Sequence, residues 1–597
     1  MTKFLTSLAL PAYAMAAMTV SLNPSVPSPQ PLGTLVHWTA TASGASAGVL
    51  RYRFRVREQG FGGTRHHLEE PFRTVVDFGP NANLDWTTIA QEGEVLVEAA
   101  VRNVATGETA TTEIPYTFTR LAQTGPVATA TAHPLVFIYS APPCPMGARM
   151  RVRFSTAGGP ATVTPLAPCN GRHTMNFYLA GMRPATAYTA IHTIQFATSS
   201  TDGSPVTFTT GVSTFQAPSA SPISTPLPAG GGIVLHGAVN SNTFATDLNG
   251  NLLWYGPSGL TFLTRAVPGG TFLSIFEDGA LDQSHQFFRE FDLAGVTVAE
   301  TNAARINEQL AAIGRHPMTS FHHDAIRLAN GNYLVMAGSE RTLTNVQGTG
   351  PVDVLGDIIL VLDPNLQVRW FWDAFDYLDP HRQAILKETC AYPATVACSA
   401  FYNGKSANDW LHGNGLQLTP DGDILYSVRH QDWIVKIDYR DGAGTGRILW
   451  RLGAGGDFTI SGGGAHPWFS HQHDPHFLSD NTTLVLFDNG NTRIAQNPDE
   501  KDSRGQVLKI DEKAHTATVL MNADLKQNSA ALGTAELLDN GDYYFDAGFI
   551  QDPSNPAGRF TQLLETDPSG NLVWGMQVAA QEYRSYRMKD LYTPPQP

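Results

Sequence analysis

The sequence predicts an all-β protein, a six-bladed β-propeller preceded by two immunoglobulin- or fibronectin-like β-sandwich modules. Three observations carry that expectation. One phrase recurs from about residue 230 onward, most plainly in "HHDAIRLANGNYLVMAGSE", "LHGNGLQLTPDGDILYSVRHQD" and "HQHDPHFLSDNTTLVLFDNG": a histidine, an alternating apolar run, an Asx-Gly turn and a second run. Repeats of this length mean stacked or circular β units. The composition, with 55 Gly and 39 Pro among 597 residues, is that of a turn-rich chain. The N-terminal third lacks the phrase and instead alternates with period two in short runs.

Residues 1–17 read either as an export signal or as a disordered lead-in. Lys3 precedes a short apolar stretch, and Ala12-Tyr13-Ala14 resembles a cleavage site. Residues 18–120 read as the first sandwich, with strands in "LGTLVHWTATASG", "GVLRYRFRVRE", "EGEVLVEAAVRN" and "TTEIPYTFTR" and with Trp38 in the core. Arg51, Arg53, Arg55 and Arg57 share one face of a strand and read as a solvated face. Residues 125–212 read as the second sandwich, with Tyr188 at its corner. Neither module carries a catalytic constellation, so support, spacing or oligomerisation is the expected role. Residues 213–230 are a Pro/Ser/Ala-rich linker, and 231–597 hold six units of four strands each. Stacking such units in a ring hides both apolar faces of every sheet, and "YRSYRMKDLY" is the candidate closing strand.

Composition limits the function. Net charge is −14 with no Lys/Arg block, which argues against a nucleic-acid partner. No later segment has 18 continuous apolar residues, so no transmembrane helix is expected. The cysteines fall as Cys144 with Cys169 and Cys390 with Cys398, which reads as two disulfides and an oxidising compartment, with buried thiols as the other reading.

In a ring, the innermost strand of each unit lines the axis. His323, His412 and His473 head the first strands of the third, fourth and fifth units and therefore converge, with Arg429 placed on the next strand of the fourth unit. Histidines and an arginine facing one cavity suit transfer of an oxyanion group: one imidazole attacks, another exchanges a proton, and the guanidinium holds oxygens. His322, His430, Asn414 and Asn489 are candidate substrate contacts, and His471 and His476 are weaker ones. Asp324 and Asp474, each following a histidine, read as turn caps or imidazole partners. A metal reading is also open, with His323, His412 and His473 ligating zinc, copper or iron. No HExxH motif exists, and Arg429 favours anion chemistry, so no metal and no cofactor are expected.

"HHDAIRLANGNYL", "NDWLHGNGLQLTPDGDILYSVRHQDWIVKID" followed by "ILWRLG", and "SHQHDPHFL" with "LVLFDNGNTR" resemble the bacterial arylsulfate sulfotransferase family over about residues 230–590. The resemblance implies PAPS-independent transfer of a sulfuryl group from an aryl sulfate donor to a phenolic acceptor through a sulfated histidine. It implies His473 as nucleophile, His412 as acid–base partner, and His323 and Arg429 as binders of the sulfate oxygens. It further implies a periplasmic or secreted protein, a six-bladed propeller, and a short-loop disulfide that Cys390 and Cys398 match. A homo-oligomer is compatible with all of this. The alternatives are a metal-assisted lyase or hydrolase using the same histidines, or a non-enzymatic propeller that binds other proteins.

Overall fold

The computed structural model describes residues 17–58, 71–90, 92–224, 227–228, 231–239, 241–391, 398–399, 401–555 and 558–595. The leader reading, apart from Ala17, lies outside the described residues. The protein is predominantly β and contains many separate sheets. No described helix is long and apolar enough to cross a membrane.

Six antiparallel sheets follow one another from residue 233. Taking the first strand of each, they start at Ile233–Ala238, Leu260–Val267, Phe321–Arg327, Gly413–Leu418, His473–Phe477 and Thr534–Leu537. The alternating runs on either side of each Asx-Gly turn become adjacent antiparallel strands, because the turn reverses the chain in about two residues. The first strands touch in chain order. Thr534–Leu537 contacts Glu582–Met588, and that C-terminal strand pairs antiparallel with Ile233–Ala238. The apolar clusters between neighbouring sheets are continuous, as where Leu334, Met336 and Val361 of the third sheet meet Leu416, Tyr426 and Val428 of the fourth.

Several features depart from the sequence reading. Within the linker, Ala220–Pro222 adds an edge strand to the sixth sheet beside Leu572–Val578. The first N-terminal module is not separate from the second sheet, since its strand Arg73–Gly79 meets Thr297–Asn302 in parallel. That joint is backed by a helix, Ala303–Ala312, capped by Asn302, whose side chain accepts from the Arg305 N–H at 2.9 Å. The arginine face is not simply solvated. Arg53 and Arg55 converge on buried Glu98, and Arg53, Arg102 and Arg305 pack over Phe78. Burial of one carboxylate and one aromatic ring draws in guanidinium groups that exposure would leave apart.

In that first module, Trp38, Trp86, Tyr116 and Phe118 pack together between two sheets. In the second, the Tyr188 hydroxyl accepts the Arg183 N–H at 2.9 Å, and the disulfide joins Cys144 to Cys169, the residue that follows the short strand Ala167–Pro168. Its core runs on into Trp254, Phe272 and Tyr592 of the first two sheets and the C-terminal segment. The Cys390–Cys398 disulfide is also formed, and no described cysteine is free.

Candidate active site

Three first strands are irregular at the same place. Their pairing with the second strand slips between Phe321 and Ala325, between Gly413 and Gly415, and between His473 and His476. Bulges of this kind turn side chains out of their alternating positions, often beside active sites. Backbone torsions show the same pattern: His323, His412 and Asp474 have φ of 56°, 51° and 48°, a region that costs a non-glycine residue energy. Three neighbouring sheets thus hold strained residues at matching places, and the histidines meet there. The rings of His323 and His412 lie 4.7 Å apart, and those of His412 and His430 lie 4.6 Å apart.

His473 is almost fully buried, and its Nδ1 is 2.6 Å from Oδ1 of Asn489. The Asn489 amide donates to the carbonyls of Ser529 and Leu532 at 2.7 and 2.9 Å. Its oxygen therefore faces the imidazole, Nδ1 carries the hydrogen, and Nε2 keeps its lone pair. Burial, and then the Arg429 guanidinium, hold His473 well below the ordinary imidazole range despite the Asn489 bond, with His412 and Arg584 adding to the shift. His323 is likewise held well below by burial and then by His412, His322, His473 and Arg584.

His412 is the most open of the set, with about a third of its side chain exposed, and its Nδ1 rests 2.6 Å from Oδ2 of Asp409. Asp409 sits on the strand Asn408–Asp409, which pairs in parallel with the third sheet, so that sheet supplies the partner for a histidine of the fourth. His430 donates through Nδ1 to the Asp409 carbonyl at 2.6 Å and accepts through Nε2 from Arg429 at 2.6 Å. Arg429 also donates to the Ala530 carbonyl at 3.0 Å. It does not lie on a strand. It opens a 3₁₀ turn, Arg429–Gln431, after the strand Ile424–Val428, and the turn swings its guanidinium toward the sixth sheet. Burial, followed by His412, Arg429 and His471, lowers His430 well below its ordinary value.

His322 and His323 face each other through their Nδ1 atoms at 2.8 Å, and His322 Nε2 lies 3.1 Å from Asp357. Burial pushes Asp357 up, but bonds from His322, Tyr426 and the Gly413 N–H outweigh it and hold the carboxyl below its usual range. Asn414 is fully buried and donates to the Gln472 carbonyl at 2.8 Å, bracing the fourth sheet against the fifth. The donors of Asn489 are likewise committed to backbone, so its contact is with His473. His471 lies behind the cluster, its two nitrogens against Asp432 and Glu388. His476 is at the far end of its strand and is not in the cluster.

Asp324 and Asp474 neither cap turns nor orient the neighbouring imidazoles. Asp324 accepts from Arg265 at 3.1 and 3.0 Å and from Arg584 at 2.8 and 3.0 Å, and Asp474 accepts from Arg265 at 2.9 Å. This buried network lies beneath the histidines. Burial raises Asp324, but the two arginines more than offset it and hold it low. Sequence reading missed Arg265, Arg584, Asp357 and Asp409. Only Asp409 left a local trace, three residues before His412 in "NDWLHGN".

Ligand atoms of Glu388, His430 and His471, and of Asp409, His412 and His430, lie within 4.8 Å of one another. Both sets need His430, whose nitrogens are occupied by a carbonyl and a guanidinium. A metal ion would have to displace Arg429, so these residues do not fit one. His323, His412 and His473 form no such set among the described residues. A guanidinium among the imidazoles instead makes a pocket of positive potential, suited to an anion.

The chain is 24% identical over 336 residues to the arylsulfate sulfotransferase AssT of Lelliottia amnigena, covering 47% of this chain and 52% of that protein. It is 25% identical over 334 residues to the protein of the same name from Escherichia coli O6:H1, covering 46% and 51%. The chain thus aligns with about half the length of these relatives. The family model described as arylsulfotransferase (ASST) matches residues 197–587, a span that includes every histidine of the cluster, Arg429 and Asn489, and on that match the chain belongs to the arylsulfotransferase family.

Proposed function

We propose that the protein transfers a sulfuryl group from a phenolic sulfate ester to a phenolic acceptor through a sulfohistidine at His473. The observation that carries this reading is the Asn489 contact, which leaves Nε2 of His473 unprotonated beside a guanidinium. In the first half-reaction Nε2 attacks sulfur and forms the N–S bond. The S–O bond to the aryl group breaks, its electron pair leaves on the phenolic oxygen, and His412 supplies the proton. Arg429 and His323 hold the sulfuryl oxygens as charge moves through them. In the second, an acceptor phenol returns its proton to His412, its oxygen attacks sulfur, and the N–S bond breaks to regenerate His473. Asp409 keeps the His412 ring oriented through both steps.

The wider reading is part of the same proposal. The sequential contacts of six first strands and the Glu582–Met588 pairing support a six-bladed propeller over residues 231–597, with sandwich modules at 18–120 and 125–212 outside it. The two disulfides support a periplasmic or secreted location.

The test is incubation with 4-nitrophenyl sulfate without acceptor. A burst of nitrophenol should accompany the mass of one SO₃ group on the peptide containing His473, and a phenol should then discharge it. His473→Asn should abolish burst and label together. A label on another residue, or full turnover by that variant, refutes the assignment.

A further inference from the structure

The strands that carry the histidines at one end build a second cavity at the other. It has a volume of about 350 Å³ and is walled mainly by apolar side chains, among them Val267, Ile326, Leu416, Leu418 and Ala535. The Arg265–Asp324–Arg584–Asp474 network separates it from the histidine cluster, and Arg265 and Asp474 form part of its inner wall. A space of this size is sufficient for a small organic ligand.

Three polar side chains in its lining have unused hydrogen-bonding capacity: His476, Glu536 and Arg327, whose Nη1 is buried without a hydrogen-bond partner among the described residues while Glu290 at 3.7 Å balances its charge. His476 is 5% exposed. Its Nδ1 bonds to the Asp474 carbonyl at 3.1 Å, so that nitrogen carries the hydrogen, and Nε2 is an acceptor with no partner among the described residues. Glu536 is 3% exposed. One carboxyl oxygen accepts the Arg587 N–H at 3.1 Å, and the other, Oε1, is buried with no partner among the described residues. Burial keeps Glu536 well above the usual carboxyl range, with the Asp474 carboxylate adding to the effect, and burial lowers His476. In both groups burial favours the uncharged form. The cavity then offers one acceptor nitrogen and one undissociated acid against an apolar wall.

The neighbouring charges are already balanced. Arg265 is held between Asp324 and Asp474, and Arg327 lies over the Tyr333 ring with Glu290 at 3.7 Å. An anionic ligand would meet Asp474 without a free cation to balance it, and a cationic one would be drawn beside Arg265. Hydrogen-bond demand is for a group that both donates and accepts, which a hydroxyl does in its neutral form.

We propose that this cavity is a second binding site, for an uncharged apolar molecule bearing one hydroxyl group, which donates to Nε2 of His476 and accepts from the Glu536 carboxyl. The site is separate from the histidine cluster and does not rest on the sulfuryl-transfer reading.

The probe is 4-bromophenol, neutral at pH 7, whose bromine can be located by anomalous scattering in crystals of the full chain. The expected result is a bromine peak in this cavity with the phenol oxygen within hydrogen-bond reach of His476 Nε2. A bromine at the histidine cluster would be a separate peak and would bear only on the proposed reaction. In solution, His476→Phe should weaken binding at the far cavity about tenfold, the worth of roughly one buried hydrogen bond. Glu536→Gln, whose amide can still donate, should bind nearly as well as the native protein. Leu418→Trp, or Ile326→Trp if the first does not fold, should fill the space and remove that peak alone. Absence of the peak in native crystals overturns the proposal. So does binding there of bromobenzene, 4-bromobenzoate or 4-bromobenzylamine as tightly as the phenol, since the first lacks the hydroxyl and the others are charged.

Discussion

Oδ1 of Asn489 is held against Nδ1 of His473 at 2.6 Å because the other end of the Asn489 amide is tied to two backbone carbonyls. A side chain 16 residues downstream thereby decides which nitrogen of a buried imidazole can react. Asn489→Leu should lower the rate of sulfo-labelling about 10- to 100-fold, a loss like that on removing the partner that orients a metal-bound histidine. Asn489→Asp should instead favour the protonated ring. Because burial and Arg429 depress native His473, its labelling rate should hold as pH falls through about 6.5. The acid limb of Asn489→Asp should lie at higher pH. Single-turnover rates against pH distinguish these outcomes, and coincident profiles would remove Asn489 from the mechanism.

Asp409 acts on His412 rather than on substrate, so its loss should depend on the leaving group. Asp409→Asn should change nitrophenyl sulfate turnover by only a few-fold and slow unsubstituted phenyl sulfate by about 100-fold, since a poor leaving group needs the proton. Equal losses with both esters would mean that Asp409 serves only the fold.

Asp324 holds two buried arginines, and removing it leaves both charges uncompensated. Asp324→Ala should cost about 3–5 kcal/mol in urea unfolding, the range for breaking a buried ion pair. The native carboxyl is depressed, so its contribution is present above the unfolded value near 3.9 and is lost as pH falls through its folded value. The difference between native protein and variant should therefore shrink only in strong acid. A constant difference down to pH 2 would contradict the assignment.

Asp546 behaves oppositely. It is fully buried, and burial, then Glu582, pushes its carboxyl well above the usual range. Stability tied to its proton is present below the unfolded value near 3.9 and is lost as pH rises toward the folded value. Asp546→Asn should unfold at the same urea concentration as the native protein near pH 3 and at a higher one at pH 8. An unchanged gap between the two pH values would show that Asp546 ionises alike in both states.

Much of the architecture was legible in the chain because its signals are local. Alternation beside an Asx-Gly turn predicts paired strands whatever lies elsewhere, and recurrence of that phrase predicts the six sheets. His323, His412 and His473 stood out because repetition puts equivalent residues at equivalent places. Roles that depend on partners distant in sequence were not legible. Nothing around Arg429 indicated that a short turn, not a strand, would aim it toward Ala530. Nothing around Asp324 pointed to Arg584, 260 residues away. Asn489 read as a substrate contact until its amide met Ser529 and Leu532 and its oxygen met His473. Periodicity depends on nearest neighbours along the chain, whereas tautomers, ion pairs and cavities depend on which strands meet. That meeting follows from the packing of whole sheets, and only the tertiary structure decided it.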